Sequence, residues 1–254
     1  MSNNPTPLHM VSLQLDASRL FTLARRRRLP LHDLDPGYLI HCQLGELFGE
    51  LAPRLFSLEN AESRSWRVLA YGPHDADSLR EQADAFADPS IHAALDWDGF
   101  ASKRMPEQWP AGKSMEFRVR ACPTVRMGRD GEHHRKGAEV DAFLSQCWAT
   151  GDPKVQVDRE EVYRAWLETH FNRLGGVEPR GIQIERFSLQ RFVRRTQGLE
   201  RKAKTLDRPD VSFRGELTIT DSEGFDRLLR RGIGRHRAFG FGMLLLSPLR
   251  RNPC

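Results

Sequence analysis

Runs of apolar residues alternate with polar punctuation along this chain, and their spacing lays out the elements of its first half. His9 to Leu15 has moderate β-propensity and predicts a first strand. A loop carrying Arg25-Arg26-Arg27-Arg28 is expected next. Asp35-Pro36 then reads as a helix start, with Asp as N-cap and Pro at the first helical position. Ile40, Leu44, Leu47, Phe48 and Leu51 recur at helical spacing and define its buried face. Arg54–Leu58 and Trp66–Tyr71 look like a strand pair. Asp77 to Ala87 predicts a second helix, stopped by Asp88-Pro89, and a further strand is expected between Ile91 and Met105.

Pro106 to Gly112 reads as a linker, after which the pattern starts again. Met115–Arg120 alternates Phe117 and Val119 with Arg118 and Arg120, as a strand does. A polar excursion through Gly128–Gly137 follows. Asp158 caps a helix to about Leu174, which Gly175-Gly176 ends. Val177–Val193 and Val211–Thr220 supply a strand pair, Ser222–Arg231 a helix and Gly240–Ser247 a last strand. The order β-α-β-β-α-β thus occurs twice. It predicts an α+β chain of two tandem ferredoxin-like (RRM-like) domains, residues 1–108 and 112–254.

Charge changes the picture. Lys+Arg 39 against Asp+Glu 34 gives a net +5 over 254 residues, but Arg180–Arg208 alone holds nine cations and three acids, +6. A basic tract concentrated on a near-balanced protein is the electrostatic footprint of a nucleic-acid binder. The four cysteines form no C-x-x-C pair or zinc-like spacing and read as reduced thiols. With neither a signal-peptide core nor a membrane-length apolar run, a soluble cytoplasmic protein is expected.

The segment before the last strand carries candidate chemistry. Gly232-Ile233-Gly234-Arg235-His236-Arg237-Ala238-Phe239-Gly240-Phe241-Gly242 brackets cations with glycines. It follows a helix and precedes a strand, the reverse of a dinucleotide fingerprint, and no P-loop string exists. Two readings stay open at this point. The glycines are a helix cap and a bulge, or they bring backbone N–H groups to an anionic polymer while Arg235 and Arg237 fork onto phosphates.

Three segments together decide the matter. Asp35-Pro36-Gly37-Tyr38-Leu39-Ile40-His41 is similar to a D-P-Y-x-x-H helix start with Gly37 inserted. Phe117 to Val125 is similar to an F-x-x-R-A-N-P-T strand end, and the glycine loop completes the set in order. The chain resembles the RAMP superfamily of CRISPR-associated RNA-binding proteins, and within it the CasE-type endoribonucleases of type I-E systems. It departs from their pattern at Cys42, where a basic residue is usual, at Cys122, where asparagine is usual, and at Arg237, where lysine is usual. The resemblance implies metal-independent cleavage of precursor CRISPR RNA at a repeat hairpin. The 2′-OH attacks the adjacent phosphate and leaves a 2′,3′-cyclic phosphate and a 5′-OH. It implies His41 as general acid or base with Tyr38 assisting, no cofactor, and retention of the mature CRISPR RNA within the multisubunit Cascade complex. The alternative is a non-catalytic RNA-binding RAMP subunit.

Helix geometry fits an accessible site. His41 falls about 75° and Tyr38 about 135° from the centre of the apolar stripe, on one side, with Gly45 between them as a notch for a phosphate. Arg25–Arg28 are expected to supply the missing helper charge. His133-His134 are poorly spaced for one metal, and His32 is the nearest rival histidine. Arg186, Arg191, Arg194, Arg195, Arg201, Lys202, Lys204 and Arg208 are expected on the second-domain strand pair and its connection, lying along the RNA stem. Gly232, Gly234, Arg235, His236, Arg237, Gly240 and Gly242 are expected to hold RNA.

Overall fold

A computed structural model describes residues 6–26, 35–60, 63–151, 155–195 and 203–249. The first half is β1 (His9–Asp16), α1 (Ala17–Arg26), α2 (Pro36–Phe48), β2 (Leu55–Leu58), β3 (Ser65–Gly72), α3 (Ala76–Phe86), the single turn α4 (Pro89–His92) and β4 (Ala101–Arg104). Its four strands form one sheet in the order β2-β3-β1-β4. All the pairs are antiparallel, with Leu13 opposite Val68 and Val11 opposite Ser102. Alternate β1 residues Val11, Leu13 and Leu15 are fully buried and share a core with Ile40, Leu44, Leu47 and Phe48 of α2. The predicted stripe of α2 is therefore its packed face.

The second half is β5 (Ser114–Ala121), β6 (Thr124–Arg126), β7 (Glu139–Asp141), α5 (Ala142–Thr150), α6 (Arg159–Leu174), β8 (Val177–Arg195), β9 (Ala203–Ile219), α7 (Ser222–Arg231) and β10 (Leu244–Pro248). Its sheet runs β10-β5-β9-β8, the same order as the first once its strands are counted from β5. Two ferredoxin-like domains result, the second carrying the β6–β7 hairpin and α5 between its first strand and first helix. The halves are stitched together. Leu8, Leu55 and Tyr71 pack into the second core, and the Tyr71 hydroxyl donates to the Leu244 carbonyl at 3.2 Å. Trp109, in the segment that joins them, is buried edge-on against Phe225.

Three expectations are corrected. The stretch after β1 is a helix rather than a loop. Asp16 caps it by accepting from the Ser18 and Arg19 N–H groups, and Leu20 and Ala24 bury its inner face beneath a polar surface that hides the period. Arg25 and Arg26 sit in its last turn, where cations suit the helix dipole. The basic connection is largely strand: β8 and β9 stay paired from Val177–Ile219 out to Arg195–Ala203, whereas β5 pairs with β9 only between Val211 and Thr218. A two-stranded arm therefore extends beyond the sheet. The last strand begins at Leu244 rather than Gly240, because Arg237–Phe239 turn in a 3-10 geometry that Gly240 caps with a positive φ.

Candidate active site

Helix α2 starts as its sequence dictates. Pro36 occupies the first turn, and the Asp35 carboxylate accepts from the Gly37 N–H at 3.1 Å. One turn on, Tyr38 is half-buried and His41 exposed. Gly45 is exposed and faces open space, with nothing within 4 Å of where a Cβ would stand.

The glycine-rich loop closes on itself before it reaches α2. Gly232 ends α7 by donating to the Leu228 carbonyl at 2.9 Å, and the Ile233 N–H then bonds the Gly242 carbonyl at 2.8 Å. Gly242 has φ 81°, and a Cβ there would lie 2.1 Å from the Ile233 carbonyl oxygen, so only glycine closes the loop. Gly232, Gly234 and Gly240 also have positive φ. Between them, the 3-10 turn Arg237–Phe239 lies directly on α2: a Cβ at Gly37 would stand 2.1 Å from the Phe239 carbonyl oxygen. The glycine inserted into the helix motif is what lets the two backbones touch.

Phe239 consequently sits among the candidate catalytic side chains. Its ring centroid lies 6.2 Å from that of Tyr38, stacked, 5.8 Å from that of His41 and 6.3 Å from that of His236. Partial burial, and next the charge of Arg54, hold the His41 pKa below its ordinary value. Arg54, immediately before β2, is thus a cation near enough to act on His41; of the expected Arg25–Arg28 run, Arg25 and Arg26 lie in the last turn of α1. Arg27, Arg28 and His32 lie outside the described residues.

The cationic side chains of the loop are braced from behind. His236 Nε2 meets Glu139 Oε1 at 2.5 Å, and Arg235 Nη1 is 3.7 Å from Glu139 Oε2. Arg237 donates to the Arg231 carbonyl. Burial alone would raise the Glu139 pKa, but the hydrogen bond and charge of His236, with the Thr124 hydroxyl and Arg208, bring it down to about 2. Glu139 comes from the inserted hairpin, and no local pattern marks it in the sequence.

A second network ties α2 to the sheet of the other half. Arg120 makes two hydrogen bonds to buried Asp210, at 2.8 and 2.9 Å, and a third to Gln190 Oε1 at 2.7 Å. Gln190 Nε2 in turn donates to Asp35 at 3.3 Å, while the Arg120 guanidinium lies 4.2 Å from the Phe241 ring centroid. Burial raises the Asp35 pKa to about 6 against the pull of Arg120. Arg186 is exposed, 3.5 Å from Asp210, and the Arg208 guanidinium donates to the Glu139 carbonyl at 2.8 Å. The backbones of Arg191, Arg194, Arg195 and Lys204 lie on the arm, while Arg201 and Lys202 fall outside the described residues. His133 and His134 pack on Trp148.

Tyr38, Arg54 and Phe239 form one end of a cleft of about 1900 Å³ that runs along α6, lined by eight arginines against four carboxylates. Such a surface favours a polyanion, and His41 adjoins it through Phe239 rather than lining it. Among the described residues, no helix is long and apolar enough to cross a membrane.

Residues 8–248 match the family model described as CRISPR associated protein. A Thermus thermophilus protein named CRISPR-associated endoribonuclease Cse3 is 29% identical over 166 residues, 60% of this chain and 68% of its own length. The Escherichia coli protein named CRISPR system Cascade subunit CasE is 26% identical over 148 residues, 58% of this chain and 65% of its own. The solved Thermus thermophilus Cse3, bound to an RNA representing a pre-cleavage complex, superposes with a TM-score of 0.59 at 22% identity, covering 95% of this chain and 100% of that one. At that identity the likeness speaks to the fold.

Proposed function

This chain belongs to the CRISPR-associated protein family, and from that premise we propose that it is a CasE-type endoribonuclease that cuts precursor CRISPR RNA at the repeat hairpin. One observation carries the catalytic part. Tyr38 and His41 of the first domain and Phe239 of the second converge, beside Arg54, at the end of an arginine-lined cleft. In this reading the flat ring of Phe239 offers a stacking surface for a base next to the scissile phosphate. His41, neutral at pH 7 because its pKa is lowered, takes the proton of the 2′-OH. The 2′-oxygen then bonds to phosphorus as the bond to the 5′-oxygen breaks, and the departing 5′-oxygen takes a proton from water, leaving a 2′,3′-cyclic phosphate and a 5′-hydroxyl. Arg54 and Tyr38 stabilise the charge that gathers on the phosphoryl oxygens. The arm formed by β8 and β9 carries the stem through its phosphates, and the mature RNA stays bound within a Cascade assembly in the cytoplasm.

Incubating end-labelled repeat RNA with wild type and His41→Ala in EDTA tests the reading. Cleavage by wild type with a cyclic-phosphate end, lost in the variant while RNA still binds, is the expected result. Binding without cleavage by wild type would instead identify a non-catalytic RNA-binding subunit. Cleavage that survives the substitution would remove His41 from the mechanism.

A further inference from the structure

Three donor atoms from separate segments meet behind the glycine-rich loop. Cys122 lies in the turn between β5 and β6, Glu139 opens β7, and His236 belongs to the loop. The Cys122 sulfur, a Glu139 carboxylate oxygen and a His236 ring nitrogen all lie within 4.8 Å of one another. The cleavage chemistry uses none of them, and Cys122 is fully buried. His236 adds a second observation. Among the described residues it is the only one besides glycine with positive φ, 59°, a conformation that costs energy and aims its ring at Glu139.

We propose that Cys122, Glu139 and His236 form a binding site for a borderline-soft divalent cation of the zinc class. Thiolate, imidazole and carboxylate are the donors such an ion takes, and three of them with an open fourth position make a familiar coordination set. Metal–ligand bonds of about 2.0–2.3 Å place tetrahedral ligands about 3.3–3.8 Å apart. The 4.8 Å cluster must therefore tighten by about 1 Å, while His236 and Glu139 separate from their present 2.5 Å to admit the ion. Glu139 and His236 line the cleft, which gives the ion access and leaves the fourth position to water, and Cys122 closes the inner side. An outer shell is in place: the Thr124 hydroxyl donates to the Glu139 carboxylate at 2.8 Å. Cys122 gives its thiol proton to solvent as it binds, so the ion's two positive charges meet one thiolate and one carboxylate, and a neutral set replaces the single negative charge of Glu139 beside Arg235 and Arg208. Bound there, the ion would tie the loop that carries Phe239 to the inserted hairpin. The inference does not rest on the assignment of His41.

The test uses the full chain, with cobalt(II) as the spectroscopic probe and zinc(II) as competitor. One cobalt per chain is expected, with a thiolate-to-cobalt charge-transfer band that zinc displaces. Zinc at a hundredfold excess over its dissociation constant should raise the melting midpoint by about 5–10 °C. Cys122→Ala should abolish the band, and His236→Gln should weaken cobalt binding at least tenfold. The second variant changes a partly exposed side chain, so it keeps the test open if the first fails to fold. A band that persists in Cys122→Ala, binding unchanged in His236→Gln, or less than stoichiometric cobalt would overturn the proposal, the first by assigning the ion to another cysteine and the second by removing His236 from its ligands.

Discussion

Replacing Gly37 by alanine puts a methyl group 2.1 Å from the Phe239 carbonyl oxygen and 2.7 Å from its carbon. Ordinary contact begins near 3.4 Å, so the glycine-rich loop and α2 must part by about 1.3 Å. Both sides are backbone and neither has a rotamer through which to escape. Alanine gains about 1 kcal/mol over glycine in a helix. Overpacking costs about 1–3 kcal/mol, so the net loss of stability is at most about 2 kcal/mol. The geometric effect is larger in its consequences. A displacement of about 1 Å between groups that must act together lowers a rate on the order of 100-fold. Single-turnover cleavage of labelled repeat RNA, with urea unfolding of the same samples, separates the two effects. Gly45→Ala is the matched control: it lies on the same helix with nothing within 4 Å, and should gain about 1 kcal/mol. If Gly37→Ala gains stability as Gly45→Ala does and cleaves at the wild-type rate, the loop does not rest on α2 and the composite site is refuted.

Asp210→Ala strands the largely buried Arg120 guanidinium and should cost about 3–5 kcal/mol in urea unfolding; a loss below about 1 kcal/mol would show that the pair is solvated. Asp35 has its folded-state pKa raised from 3.8 to about 6, so its ionisation opposes folding: stability should fall as pH rises from about 4 through 6. Asp35→Asn keeps a capping side chain and should recover up to about 3 kcal/mol at pH 7, and unchanged pH dependence of its unfolding would contradict this. Under the proposed base role, cleavage efficiency should climb with pH through a His41 pKa below its ordinary 6.5. Arg54→Gln should move that limb to higher pH, and a limb that stays put would separate Arg54 from His41.

Much of the fold is legible because it is local. The cap at Asp35, the stripe from Ile40 to Phe48 and the alternation in β5 each report burial within a few residues of themselves. Arg-rich α1 and the β8–β9 arm escape the same reading. Their cations mask the period in one case, and in the other the pairing partner across the hairpin, rather than composition, makes the strand. His41 and the glycine loop are visible as separate motifs at opposite ends of the chain, and a resemblance joins them only by order.

The sequence alone therefore determined two ferredoxin-like units, a basic second half and the candidate pair Tyr38 and His41. The tertiary structure decided that Tyr38 and His41 meet the glycine-rich loop at Phe239. Gly37 and Phe239, Arg54 and His41, and Glu139 and His236 are far apart in the chain or set in different elements. The packing of α2 on the second domain's loop brings Gly37 against Phe239, while packing within each domain sets Arg54 near His41 and His236 on Glu139. Periodicity records which side of an element is buried, and it carries no information about what that side is buried against.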